Sequence, residues 1–352
     1  AVRTTPRIDF MKALLLRKPL ELESCDIPEP AAPGPGEALV RVHRVGICGS
    51  DISGYLGKMP FYSYPRIPGH ELGVEVLAVG DGVPHLKVGD MCSVEPYIND
   101  PNSFASLRGR GNCCESLQVL GVHTDGGMRS RFIVPARKLH PARTLSMEQL
   151  ALVETLAIGC HAVDRCAPQG DETVLVIGAG PIGLSVIEFV KLTGARLIVL
   201  DMNRGRLDFC KNVMLVPDVV QYVGDGSELK KIEELTCGAL PQVVIDATGN
   251  PKSMSGAFEF VGHTGRICFV GIIPGEVTFS DPLFHRREMT ILASRNALPR
   301  DFGRIIRLIE GGKIDTRPWI THHYRLEDLP TAFPDIIKPE TGVIKAMVEV
   351  PE

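Results

Sequence analysis

The 352-residue sequence has no apolar run long enough to cross a bilayer, and residues 1–10 lack the apolar core of a secretion signal. Neither feature supports a membrane role. Basic residues are not in excess. The formal net charge is −4, so the chain has no electrostatic basis for holding nucleic acid or an anionic lipid surface. No segment is of low complexity and none repeats, which excludes a solenoid. The ten cysteines include no Cys-x-x-Cys and form no regular framework. Thiols used in that way bind metals or sit buried in a reducing compartment, so a cytoplasmic protein is expected. What is present is ordinary for a globular protein: 44% apolar and 23% charged residues, and enough length for two domains. Met11-Lys12-Ala13 reads as a natural start, which would make residues 1–10 an extension.

The most informative stretch is Val174 to Gly183. Val174-Leu175-Val176-Ile177 is a short apolar run, and Gly178, Gly180 and Gly183 follow with Gly-x-Gly-x-x-Gly spacing around Ala179, Pro181 and Ile182. A helical pattern (Ile182, Val186, Phe189) and a second apolar run ending in Asp201 complete a strand–turn–helix–strand unit. This context turns a weak glycine pattern into a dinucleotide site. The first glycine permits the tight turn, the second lets backbone approach a pyrophosphate, and the third lets helix pack on strand. The helix N-terminus offers free N–H groups to the anion. A carboxylate at Asp201 suits ribose hydroxyls and repels a 2′-phosphate, which favours NAD; Arg204 and Arg206 nearby leave NADP as the weaker option.

Residues 11–47 read as strands at Leu14–Leu16, Glu37–Val42 and Val45–Ile47, broken by prolines and glycines, and the stretch to about residue 140 reads as a β-rich unit. Strand–helix alternation follows, with strands at Thr173–Ile177, Leu197–Leu200, Val219–Tyr222, Gln242–Asp246, Arg266–Val270 and Thr290–Ala293. That alternation predicts a parallel sheet covered by helices on both faces. Ile320–Val350 turns extended again and is expected to return to the first unit.

The first unit carries Cys48-Gly49-Ser50-Asp51, then Gly69-His70-Glu71; Glu154 follows just before the dinucleotide unit. A catalytic zinc needs a few Cys, His or carboxylate ligands and one open position. Cys48 and His70, with one or both of Glu71 and Glu154, meet that need. Asp51 is placed to orient the His70 imidazole and Ser50 to relay a substrate proton. Spacing alone also accommodates a buried thiol, a satisfied core histidine and a solvated carboxylate.

Taken together, these blocks resemble the zinc-dependent medium-chain dehydrogenases over nearly the whole length from Met11. The matching segments are Gly46–Asp51, Pro68–Glu71, Val88-Gly89-Asp90, Gly178–Gly183, Asp246–Asn250 and Ser294-Arg295-Asn296. The resemblance implies an α/β chain. A GroES-like β-rich catalytic domain (1–157 and 295–352) would carry an inserted Rossmann domain with a doubly wound parallel sheet (158–294), with a cleft between them. It implies NAD, one catalytic zinc and a small-molecule substrate, and assembly as a homodimer or homotetramer. It assigns catalysis to Cys48, Ser50, Asp51 and His70, and metal binding to Cys48, His70, Glu71 and Glu154. The cofactor set becomes Gly178, Gly180, Pro181, Ile182, Gly183, Asp201, Arg206, Thr248, Gly249, Val270, Gly271, Ser294 and Asn296. Phe61–Pro65, Asn112–Glu115, Gly121–Gly127 and Phe279–Pro282 are similar to the sugar-acid branch, which oxidises L-galactonate or L-gulonate at C5. Sorbitol-type and threonine-type enzymes share parts of this pattern.

Two departures stand out. Relatives usually hold a structural zinc in a lobe with four cysteines; the matching positions here are Asp100, Ser103, Ser106 and Cys114. Serine is a poor zinc ligand, so the lobe, Tyr97 to Glu115, is expected to hold no metal. Ser53 stands where many relatives carry the outer histidine of a proton relay, so the proton must leave by water or another group. Arg295, Arg66 and Lys58 are candidates for a substrate carboxylate, with the cofactor or a subunit contact as the other use of Arg295; His123 suits either the pocket lining or a loop bonded to backbone, and Phe61, Tyr62 and Tyr64 either the substrate entrance or packing under a loop. Two other readings remain: a zinc-free reductase of the same superfamily, against which Cys48 and His70 argue, and a non-catalytic NAD-binding regulator.

Overall fold

Alternating apolar positions in the first part of the chain become antiparallel strands in the computed structural model, which describes residues 9–352. The expectation about an N-terminal extension falls mostly outside the described residues. The first strands, β1 (Phe10–Lys18) and β2 (Glu21–Pro28), form a hairpin. Then come β3 (Glu37–Gly46), α1 (Gly49–Tyr55), β4 (Glu71–Val79), β5 (Met91–Val94), β6 (Tyr97–Ile98), α2 (Phe104–Leu107), β7 (Gln118–Val119), β8 (Arg131–Pro135) and β9 (Leu139–Ala142). The two runs expected at 37–42 and 45–47 are one strand. Its pairing with β4 shifts register between Val42 and Arg44, and that irregularity interrupts the apolar alternation.

α3 (Met147–Cys166) leads to the second unit: β10 (Thr173–Ile177), α4 (Pro181–Lys191), β11 (Arg196–Asp201), α5 (Arg204–Asn212), β12 (Asp218–Gln221), α6 (Ser227–Leu235), β13 (Val243–Asp246), α7 (Pro251–Gly256), β14 (Arg266–Phe269), α8 (Asp281–Arg286) and β15 (Thr290–Ala293). These six strands are all parallel, in the order β12-β11-β10-β13-β14-β15. Numbered within the unit that order is 3-2-1-4-5-6, the doubly wound dinucleotide-binding arrangement, whose direction reverses between β10 and β13. Strands buried on both faces need continuous apolar runs, and Val174–Ile177, Leu197–Leu200 and Val243–Ile245 supply them. Ile198, Leu200, Val244, Phe258 and Ile267 are among the residues that pack its core.

α9 (Pro299–Glu310), β16 (Ile320–Arg325), α10 (Leu329–Ile336) and β17 (Lys345–Glu349) close the chain. β17 pairs with β3, so the terminal segment does rejoin the first unit's seven-stranded sheet, ordered β16-β17-β3-β4-β5-β9 with β8 on β3. Val40, Val42, Val74, Phe132 and Val348 are core residues of that unit. The compact units are residues up to Glu154 with Phe302–Glu352, and Thr155–Asp301. The sequence reading put the divisions at 157/158 and 294/295. The ends at Glu154 and Asp301 lie inside α3 and α9, helices that continue through both divisions.

Candidate active site

The pairing of β3 with β4 sets Gly46 directly opposite Glu71. A Cβ at Gly46 would lie 2.1 Å from Glu71 Oε2, so only glycine lets the carboxylate occupy this place. Just beyond β3 the chain turns into α1, with Cys48 at its N-cap. Asp51 Oδ2 accepts the Cys48 N–H at 2.9 Å, and Oδ1 accepts the Gly69 N–H at 3.4 Å. One buried carboxylate therefore ties the segment bearing Cys48 to the segment bearing His70. Its Oδ1 lies 3.8 Å from His70 Nδ1, too far for a hydrogen bond, so Asp51 acts on the ring by charge and by bracing its loop. Ser50 Oγ is 3.4 Å from His70 Nε2.

Among the described residues, two groups of ligand-type atoms gather within 4.8 Å of one another: Cys48–His70–Glu71, and Cys160–Asp164–Asp301 in the second unit. In the second group Asp301 Oδ2 already accepts the Leu298 N–H at 2.8 Å. The first group has a buried surround. Lys345, on β17, is 1% exposed and places Nζ 2.8 Å from both oxygens of Glu71 and 3.0 Å from the Ile47 carbonyl. Tyr97 donates its hydroxyl to Glu154 Oε1.

The electrostatics follow from this crowding. Burial pushes the Glu154 carboxyl up to about 7, partly opposed by the His70 charge. Burial alone would lower His70 and Lys345, but Asp51 and Cys48 hold the imidazole proton well above its usual range, and Glu71 does the same for the ammonium. Three buried carboxylates and a thiol thus face one ammonium and an imidazole that holds its proton. S, N and O donors gathered with more carboxylates than cations are a setting for a divalent cation, and the donor set suits zinc.

In the second unit the glycine loop caps α4. Gly178 adopts φ +98°, and a Cβ on Gly183 would lie 1.8 Å from the Gly178 carbonyl oxygen, so neither place tolerates a side chain. Gly180 is the N-cap and Pro181 opens the helix; both, with Ile182, remain half-buried. Asp201, at the end of β11, accepts the Ala179 N–H and the Asn203 N–H, each at 2.7 Å. It holds the loop's shape and keeps a negative charge there. A Cβ on Gly180 would lie 3.5 Å from Arg206 Nη1, so that guanidinium reaches the same loop. Beyond β13, Thr248 and Gly249 are exposed, with Thr248 Oγ1 bonded to buried Asp246 Oδ1 at 2.6 Å. Val270 and Gly271 follow β14; a Cβ on Gly271 would meet the Gly249 nitrogen at 2.6 Å. Ser294 is buried beyond β15, and Asn296 takes φ +51°. These residues follow the C-terminal ends of the parallel strands, where ligands bind doubly wound sheets.

Arg66 is committed to Asp125 at 2.9 Å and to Ser63 at 2.5 Å, which removes it as a free carboxylate partner. His123 Nδ1 accepts the Val119 N–H at 3.0 Å and braces a loop. Lys345, Tyr97 and Asp246 were not singled out from sequence. A lysine inside the apolar run Val343–Val350 was the available signal for the first and the segment Asp246–Asn250 for Asp246; Tyr97 carried none.

The comparisons agree with this geometry. Residues 34–144 match the alcohol dehydrogenase GroES-like domain and residues 181–311 the zinc-binding dehydrogenase domain. The chain is 38% identical to the L-galactonate-5-dehydrogenase of Escherichia coli K12, covering 96% of this chain and 98% of that protein. It is 33% identical to an L-arabinitol 4-dehydrogenase of Aureobasidium melanogenum, over 90% and 88% of the two chains. An Escherichia coli CFT073 alcohol dehydrogenase solved with NADH superposes with a TM-score of 0.89 at 28% identity, over 97% and 99% of the chains. A β-rich unit in which Cys48, His70 and Glu71 gather, a 3-2-1-4-5-6 parallel sheet and full-length identity above 30% lead to one conclusion: the chain belongs to the zinc-dependent medium-chain dehydrogenases.

Proposed function

We propose that the protein oxidises a secondary hydroxyl of a polyol or sugar acid with NAD, with L-galactonate or L-gulonate at C5 as the preferred substrate. The observation that carries the reading is the meeting of half-buried Cys48 with buried His70 and Glu71 beside Glu154. Identity to an L-galactonate-5-dehydrogenase supports the substrate class. When bound, zinc supplies Lewis acidity that lowers the pKa of the substrate hydroxyl, and NAD supplies the carbon that takes up hydride. Cys48 and His70 are the S and N donors for the metal. Lys345 competes for both oxygens of Glu71 and so sets how much of that carboxylate the metal receives. Tyr97 fixes the rotamer of Glu154, leaving that carboxylate to serve the metal or its water. Ser50 accepts the substrate proton and hands it to water, because Ser53 does not titrate near neutrality.

The charge that Asp201 keeps at the glycine loop supports NAD over NADP, although Arg206 is at hand. Asp201→Ala is expected to relax the coenzyme preference, read as the ratio of kcat/KM for NAD and NADP; an unchanged ratio removes Asp201 as its determinant. The reading includes a homodimer or homotetramer, supported by the open edge strand β15 with Ile291 exposed. It also includes a reducing, cytoplasmic setting, supported by ten cysteines none of which is paired in a disulfide. No helix among the described residues is long and apolar enough to cross a membrane. The test is NAD reduction over aldonates, alditols and threonine with zinc quantified in the same preparation. Absence of turnover across the whole panel would favour a non-catalytic NAD-binding role.

A further inference from the structure

The lobe between β6 and β7 does not fit the structural zinc of relatives. Of Asp100, Ser103, Ser106 and Cys114, only one is a thiol, and the Asp100 carboxylate is already engaged, its Oδ1 accepting the Asn102 N–H at 2.9 Å. The four positions nevertheless remain knit together. The Asp100 N–H points to Cys114 Sγ at 3.3 Å, and Ser116 Oγ lies 3.6 Å from the same sulfur. Ser103 also hydrogen-bonds the sulfur. The Ser103 and Ser106 hydroxyls are 2.8 Å apart, and Ser106 Oγ accepts from Asn99 Nδ2 at 2.9 Å. Arg137 in turn donates to Asn99 Oδ1 at 2.8 Å and to its carbonyl at 2.6 Å. Hydroxyl protons rotate, so with the sulfur as acceptor they can align in one direction, from Arg137 through Asn99, Ser106 and Ser103 to Cys114. Cys114 itself is 1% exposed.

We infer that this lobe is closed by hydrogen bonds converging on the buried Cys114 sulfur, in the place where relatives use a metal. The chemistry explains why a cation is not needed. Four thiolates repel one another unless a metal neutralises them. One thiolate facing N–H and O–H donors is already satisfied, and the donors cannot act as good zinc ligands. The titration behaviour of the sulfur agrees. Burial alone would raise the thiol, but bonds from Ser103, Ser116 and the Asp100 N–H outweigh it and bring Cys114 down to about 7.

The test uses the whole protein and reads the lobe directly. Zinc is counted per chain in wild type and in Cys48→Ser, and limited proteolysis within residues 97–116 is timed with and without a strong chelator. Cleavage of a transiently opened segment follows the population of its open form. The inference expects at most one zinc per wild-type chain, wild-type cleavage that the chelator leaves unchanged, and cleavage about 10-fold faster in Cys114→Ala, the scale of losing one charge-assisted hydrogen-bond set. Ser103→Ala should fall between the two. Two zincs per wild-type chain, chelator-accelerated cleavage, or a Cys114→Ala lobe as resistant as wild type would each overturn it. Wild type free of zinc but with a resistant lobe would count against the proposed function while upholding this inference. As a positive control, Asp100→Cys/Ser103→Cys/Ser106→Cys should gain a zinc and make the lobe chelator-sensitive; should that variant not fold, the preceding measurements suffice.

Discussion

Two polar clusters of the β-rich unit invite comparison. Around Cys48 and His70, carboxylates outnumber cations: Asp51, Glu71 and Glu154 surround a thiol and an imidazole that holds its proton, with Lys345 the other cation. Around Cys114, donors outnumber acceptors: two serine hydroxyls, an amide N–H and, behind them, Asn99 and Arg137. The difference shows what each cluster asks of its surroundings. An excess of buried acceptors is stable only with a cation, whereas an excess of donors satisfies one sulfur unaided. The sign of the excess thus separates the cluster proposed to hold a metal from the one proposed to close without it.

Breaking the acceptor-rich cluster at its fixed cation should have the largest effect. Lys345→Met leaves Glu71 buried without a partner and is expected to cost about 3–5 kcal/mol in denaturant unfolding; adding Glu71→Gln should restore most of it. A loss below about 1 kcal/mol would mean the pair is not what keeps Glu71 in place. Cys48→Ser is expected to reduce alcohol oxidation by more than about 100-fold, beyond the usual cost of losing a supporting partner, while calorimetry finds NAD binding little changed. Tyr97→Phe frees Glu154 and should weaken zinc binding about 10-fold, measured by competition with a chromophoric chelator. The smallest effect sharpens the donor-rich side. Cys114 is an acid whose folded pKa lies below its unfolded value of 9.0, near 7. Its stabilising contribution is therefore present at high pH and is lost as pH falls through about 7. The stability gap between wild type and Cys114→Ala should widen from pH 6 to pH 9; a gap independent of pH would mean the sulfur is not held as thiolate.

Much of the fold was legible because local pattern and global arrangement agree. The strands Thr173–Ile177 and Thr290–Ala293 stand where continuous apolar residues and flanking breaks put them. Domain ends were less legible, since Glu154 and Asp301 lie within unbroken helices. For the metal cluster, sequence supplied Cys48 and His70 but left Glu71 and Glu154 undivided. What distinguishes those carboxylates is a partner far along the chain, Lys345 at 274 residues from Glu71 and Tyr97 at 57 from Glu154. No local rule carries such pairings; they come from β17 lying beside β3 and from β6 approaching α3. Asp51 shows the opposite case. Its position was readable, but its partners are the Cys48 and Gly69 N–H groups, because backbone donors left by the turn into α1 lie nearer than the imidazole.

The most direct measurement of the central claim is steady-state NADH formation from L-galactonate or L-gulonate by one preparation before metal removal, after it, and after zinc is returned. The account predicts turnover that disappears with the metal and comes back with about one zinc per chain. Turnover undiminished in the zinc-free protein would contradict it.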